Sequence, residues 1–160
     1  MSIQQGDQVP AGAFKVFGSD GMHEVTTDEL FAGKKVVLFG VPGAFTPTCN
    51  DTHLPGFQTQ ADTLRERGVD TIACMAVNDP FVMAAWGRHT GAGEFIQMLS
   101  DGNGEYATSL GLTLDLSAVH MGERSARFAM VVDDGTVTYL GRELGRDVTV
   151  SGVDAVLEHL

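Results

Sequence analysis

Lys34 to Val41 reads KKVVLFGV, an apolar run rich in β-branched side chains with nothing polar after Lys35. A strand with one wet face alternates apolar and polar residues, and this run does not. A strand here must therefore be covered on both faces, which calls for a parallel or mixed sheet with helices on either side. Val69 to Val77, VDTIACMAV, has the same character and predicts a second buried strand.

Local signals place the rest. AGAFKVFG and GMHEVTT predict a hairpin around Ser19-Asp20-Gly21. Thr26 followed by Glu29 is a capping box and opens a short helix, TDELFAG. Beyond Pro55, the residues Phe57, Ala61 and Leu64 fall at helical spacing up to Gly68. Asp79 caps the helix PFVMAAWGRH, with Pro80 at its first position. FIQMLSD reads as a third strand and GEYATSLG as a short helix ended by Gly111. RFAMVVDDGTVTYLG is a hairpin turning at Asp134-Gly135, and SGVDAVLEHL puts Val153, Val156, Leu157 and Leu160 on one face of a docking helix. Strands alternating with helices, closed by a hairpin and a helix, predict an α/β protein of thioredoxin-like fold. Its central mixed β-sheet is flanked by helices, in one domain over residues 1–160.

Composition removes several kinds of function. A net charge of −11 repels phosphate backbones, so nucleic acid is not an expected partner. No stretch of 18 apolar residues is present and MSIQQGDQVP has no signal-peptide pattern, so neither a membrane partner nor secretion is expected. Two cysteines in 160 residues do not make a disulfide scaffold. The expected setting is a reducing, cytoplasmic one, where an exposed cysteine usually has chemistry to do.

The first buried strand leaves through VPGAFTPTCN (Val41 to Asn50), which puts Cys49 at the mouth of a helix. The first turn of a helix carries unpaired N–H groups and a partial positive charge, conditions that favour thiolate over thiol. Pro47 suits a helix start, Thr46 offers a hydroxyl for capping or for a ligand, and Pro42-Gly43 lets the loop fold back over the helix mouth. From spacing alone, a buried structural cysteine in a well-capped helix fits equally well.

The run VPGAFTPTCNDTHLPGF resembles the active-site signature of the peroxiredoxins, in particular the peroxiredoxin-5/type II subfamily. KKVVLFGVPGAFTPTC, HLPGF, ACMAVNDPFVMAAWGR, LSDGNGEY, GLTLDLS and RSARFAMVVDDG are similar to that subfamily in the same order, over nearly the whole chain. The resemblance implies a thiol-dependent peroxidase that reduces hydrogen peroxide and organic hydroperoxides, with no cofactor and no metal. Cys49 matches the peroxidatic cysteine, whose thiolate attacks the O–O bond and becomes a sulfenic acid. Thr46 matches the threonine that holds the peroxide oxygens, and Pro42 the proline that shields the sulfur. Arg127, opening the apolar strand FAMVV, matches the family arginine. An arginine there is costly to hide unless it faces an anion, and its fixed charge suits the negative charge growing on a leaving oxygen. Arg124, in the polar stretch GERS, reads instead as a solvated charge.

Cys74 lies inside VDTIACMAV, where a cysteine is usually a small buried hydrophobe. The resemblance matches it to a cysteine considered a resolving partner in some plant members. The animal form carries its resolving cysteine near the C-terminus, where GRDVTVSGVDAV has none. The expectation is a functionally one-cysteine enzyme recycled by an external thiol, glutathione with glutaredoxin rather than thioredoxin. His53, four residues past Cys49, shares its helix face and reads as a packing or polar residue, since no four-ligand metal set completes around it. Trp86 and Phe81 share a helix and read either as core or as the edge of a homodimer contact. Two other functions keep the same motif: a peroxide sensor that passes oxidation to a partner protein, and a cysteine hydrolase, which would need a catalytic histidine.

Overall fold

A strand with Val37 and Phe39 on one face and Val36 and Leu38 on the other needs two cores, and the computed structural model, which describes residues 2–160, has two. The strands are β1 (Ala13–Gly18), β2 (Gly21–Thr26), β3 (Lys35–Gly40), β4 (Thr71–Ala76), β5 (Gln97–Ser100), β6 (Thr113–Asp115), β7 (Glu123–Ser125), β8 (Phe128–Asp133) and β9 (Thr136–Arg142). The α-helices are α1 (Thr27–Phe31), α2 (Leu54–Thr59), α3 (Ala61–Glu66), α4 (Pro80–Thr90), α5 (Glu105–Leu110) and α6 (Val153–Glu158). One seven-stranded sheet runs β2-β1-β5-β4-β3-β8-β9, and β6 pairs with β7 in a separate ribbon. The sheet is mixed: β3–β4 and β4–β5 are parallel, whereas β3–β8, β8–β9 and β1–β2 are antiparallel. Successive side chains of a strand point to opposite faces, so β3 divides its apolar run between the two cores. Phe57, Leu64, Trp86 and Val156 cover one face; Phe14, Phe31, Tyr106 and Leu110 cover the other.

The local signals are realised where their partners lie nearby in the chain. Thr26 and Glu29 form the full capping box of α1, and Asp79 caps α4 by accepting from the Val82 N–H at 2.9 Å. Asp134 and Gly135 both take positive φ, 47° and 84°, as a tight hairpin turn requires. The helix expected up to Gly68 is broken at Gln60 into α2 and α3, and the break keeps Phe57, Ala61 and Leu64 in one buried cluster. The third strand is shorter than FIQMLSD. Asp101 leaves the ladder and its carboxylate accepts from the Tyr106 and Ala107 N–H groups at 3.0 and 2.8 Å, fixing the start of α5. Nothing in the sequence announces the ribbon β6–β7, because strands of three residues carry no period to read.

The position of the site follows from the antiparallel register of β3 and β8, in which Gly40 lies opposite Phe128. The chain leaving β3 carries Pro42 to Cys49, and Arg127 is the residue that enters β8. Register therefore brings two segments far apart in sequence to the same edge of the sheet.

Candidate active site

The loop out of β3 is held by its own backbone and by one side chain from the β4–α4 turn. The Ala44 N–H donates to Asn78 Oδ1 at 2.9 Å, and the Thr46 hydroxyl donates to the Gly43 carbonyl at 2.7 Å. Phe45 sits at φ +65°, a conformation unusual for a bulky residue. Pro47 and Thr48 are helical, and the Asn50 N–H donates to the Thr46 carbonyl at 2.8 Å. From Cys49 to His53 the helix widens into a π turn, closed by the Leu54 N–H on the Cys49 carbonyl. The sequence predicts an ordinary helical turn here. The wider one is a common feature of functional sites, and it aims both Cys49 and His53 at Arg127.

Arg127 holds the centre. Its Nη2 donates to Cys49 Sγ at 3.2 Å and its Nη1 to His53 Nδ1 at 3.0 Å. All three side chains are buried. Arginine keeps its proton, so Nδ1 of His53 must be the bare acceptor nitrogen. Nε2 then carries the hydrogen and donates to the Ser151 carbonyl at 2.8 Å. Burial drives the His53 pKa down to about 3, against the Ser151 bond and with help from the Arg127 charge, so the ring is neutral at ordinary pH. With both ring nitrogens engaged by protein groups, His53 has no lone pair left for a metal or for use as a hydrolase base. Among the described residues the guanidinium meets no carboxylate; besides His53, the ionisable side chain it touches is Cys49.

Pro42, Thr48, Arg127, Arg142, Leu144 and Arg146 line a cavity of about 270 Å³ at this edge. A larger hollow of about 1150 Å³, between the β1–β2 hairpin and α4, contains neither cysteine. Neither cysteine lines the smaller cavity either; what ties it to the site is Arg127, which lies on its wall and touches Cys49.

The structure thus brings Cys49 and Arg127 into contact and puts Pro42 on the same cavity as Arg127. Thr46 joins them through the chain, one turn before Cys49. Three expectations change. Arg124 is not a solvated charge: it is half-buried, its Nε donates to the Met121 carbonyl at 2.7 Å and its Nη1 to the Val77 carbonyl at 3.0 Å. Polar flanking residues suggested exposure, but pairing in the β6–β7 ribbon turns the side chain inward. Trp86 is core, fully buried, with its Nε1–H on Asn50 Oδ1 at 2.9 Å; Phe81, on the same helix, is 57% exposed. His53 is a partner of Arg127, which its local sequence could not disclose because the contact spans 74 residues.

Cys74 has different surroundings. It sits mid-sheet in β4, in register with Phe39 on one side and Met98 on the other, and is fully buried. Burial first, and then the neighbouring Cys49, push its thiol well up, so it stays protonated. Both cysteines are free.

A thioredoxin-like sheet that holds a thiol against a buried arginine at the exit of a central strand defines a class of thiol-based redox proteins. Within that class, the chain belongs to the Redoxin family, whose model matches residues 4–157, and its relatives are peroxiredoxins of type II. It is 48% identical to Peroxiredoxin-2B of Arabidopsis thaliana over 99% of this chain and 98% of that one. It is 47% identical to the reduced Prx3 of Vibrio vulnificus solved in complex with H2O2, with a TM-score of 0.93 and 98% of each chain covered. Peroxiredoxin 5 from Alvinella pompejana superposes with a TM-score of 0.80 at 39% identity, over 89% of this chain and 90% of that one. The protein is a thiol peroxidase with an antioxidant function.

Proposed function

We propose that Cys49 is the peroxidatic residue, reducing hydrogen peroxide and organic hydroperoxides. The observation that carries this is the 3.2 Å contact from Arg127 Nη2 to Cys49 Sγ. The sulfur attacks one peroxide oxygen, the O–O bond breaks, and the sulfur becomes a sulfenic acid. The other oxygen leaves with the electron pair and takes up a proton as water or alcohol. Arg127 stabilises the negative charge that passes from sulfur to the departing oxygen. The Thr46 hydroxyl donates its hydrogen bond to the Gly43 carbonyl, so its oxygen is left to accept from the hydroperoxide O–H. Pro42, on the cavity wall, shields the sulfur from bulk water.

Recycling is by an external thiol. Cys74 is held protonated in the sheet and no third cysteine exists. A thiol attacks the sulfenic acid to give a mixed disulfide and water, and a second thiol releases Cys49. The cavity beside Arg127 is bordered by Arg142 and Arg146 as well as by Glu143, and this predominantly basic lining suits a small anionic thiol, so glutathione with glutaredoxin is favoured over thioredoxin. The enzyme acts as a homodimer through the face where Phe45 and Phe81 are exposed, in the cytoplasm, where free cysteines are at home. Steady-state peroxide consumption with glutathione plus glutaredoxin, compared with thioredoxin plus its reductase, tests the assignment. Turnover with thioredoxin alone would reject it, and a single stoichiometric oxidation with neither would favour the peroxide sensor.

A further inference from the structure

Arg127, His53 and Ser151 belong to a longer circuit that closes on itself through Glu143. The Glu143 N–H donates to the Arg127 carbonyl at 2.9 Å, so its backbone holds the backbone of the arginine. Its carboxylate turns toward the segment before α6. Oε2 accepts the Ser151 N–H at 2.7 Å, the Ser151 hydroxyl at 2.6 Å and the Thr149 N–H at 2.8 Å, while Oε1 accepts the Thr149 hydroxyl at 2.8 Å. The Ser151 carbonyl takes the Nε2–H of His53, and His53 Nδ1 takes Nη1 of Arg127. One residue therefore anchors both ends of the arginine: its main chain directly, and its guanidinium through Ser151 and His53.

We propose that Glu143 is a positioning residue for the peroxide step, fixing the aim of Arg127 at Cys49 through Ser151 and His53. Two features of the circuit require it. The segment from Leu144 to Val150 is largely exposed and has no regular structure, yet the His53 tautomer depends on a carbonyl at its end. A carboxylate taking two backbone and two hydroxyl donors is what holds that end in place. Burial works against the charge of Glu143, but the Ser151 and Thr149 donors outweigh it and hold the carboxyl below its ordinary value, so these bonds persist at neutral pH. If the Ser151 carbonyl drifts, Nε2–H of a fully buried ring loses its acceptor. The ring and the guanidinium hydrogen-bonded to it then have no fixed orientation.

The inference takes Cys49 as the reacting thiol, and the experiment separates the two claims. Oxidation of the reduced protein by hydrogen peroxide is followed by rapid mixing, first for the parent and Cys49→Ser, which tests that premise alone. Glu143→Gln places an amide N–H2 against donors; its second-order rate should fall about two- to thirtyfold, the range for residues that act through a network. Asp147→Asn, an exposed carboxylate of the same segment, should react at the parent rate. In His53→Ala the route from Glu143 to Arg127 is already cut, so adding Glu143→Gln to that variant should slow it little further. A Glu143→Gln rate equal to that of the parent, or the same fold-loss in the His53→Ala background, would overturn the proposal and reduce Glu143 to a loop staple. So would an equal loss from Asp147→Asn. Ser151→Ala, which deletes only the hydroxyl donor to Glu143, supplies the same readings should Glu143→Gln fail to fold.

Discussion

Cys49 and Cys74 are equally buried, and both belong to the core cluster on the same side of the sheet. Their surroundings nonetheless differ. Cys74 sits between Phe39 and Met98 on neighbouring strands, and its thiol is pushed up until ionisation is out of reach. Cys49 sits where the sheet ends, at the start of a widened helical turn, with a guanidinium 3.2 Å from its sulfur. Burial alone does not decide whether a cysteine is reactive; what faces it does. A lattice of strands can offer a buried sulfur only apolar neighbours, whereas the end of a strand can place a loop, a helix mouth and a charged side chain around it.

The sharpest way to break this comparison is to exchange oxygen for sulfur at each position. Cys49→Ser should abolish peroxide consumption, because a hydroxyl lacks the nucleophilicity of a thiolate. Residual turnover near the parent rate would move the chemistry elsewhere. Arg127→Ala should slow the peroxide step by about ten- to a thousandfold, the scale for removing one transition-state donor. Arg124→Ala, which loses bonds to the Met121 and Val77 carbonyls but no contact with Cys49, should instead cost about 1 kcal/mol of stability. Equal rate losses from the two arginines would mean that aim at the sulfur is not what distinguishes Arg127.

The surroundings of Cys49 also leave a pH signature. Unfolded, His53 takes up a proton below about 6.5; folded, it refuses one until about pH 3. Between those values the unfolded chain binds more protons, so stability rises with pH across this window and is complete above it. The contribution lost on acidification is on the order of a few kcal/mol. Chemical denaturation of the parent and of His53→Asn should show a flatter dependence in the variant between about pH 7 and about pH 4. Parallel curves would mean that the ring is not held neutral. The smallest effect belongs to the other cysteine: Cys74→Ser should keep glutathione- and glutaredoxin-supported turnover, at a modest cost in stability from burying a hydroxyl. Loss of cycling in that variant, with a Cys49–Cys74 bridge found by mass spectrometry, would erase the contrast between the two sites.

Much of this molecule is written in short stretches of chain. The unbroken apolar run of β3 demanded cover on both faces, Thr26 and Glu29 announced α1, Asp79-Pro80 began α4, and Asp134-Gly135 turned a hairpin. In each case the interacting groups lie within a few residues, so pattern and propensity are enough. The loop from Pro42 to Cys49 and Arg127 are picked out by their resemblance to the peroxiredoxin signature, and a charge opening an apolar strand, which needs a partner, gives the choice of Arg127 a physical reason. Only the folded sheet could say which partner. The contact from Arg127 to Cys49 spans 78 residues and that from His53 to Ser151 spans 98. Both depend on the register of β8 against β3 and on where the segment before α6 is tied down. A π turn, the inward aim of Arg124 and the carboxylate of Glu143 leave no local mark, because each is stabilised by groups that meet only after the chain has closed around its two cores.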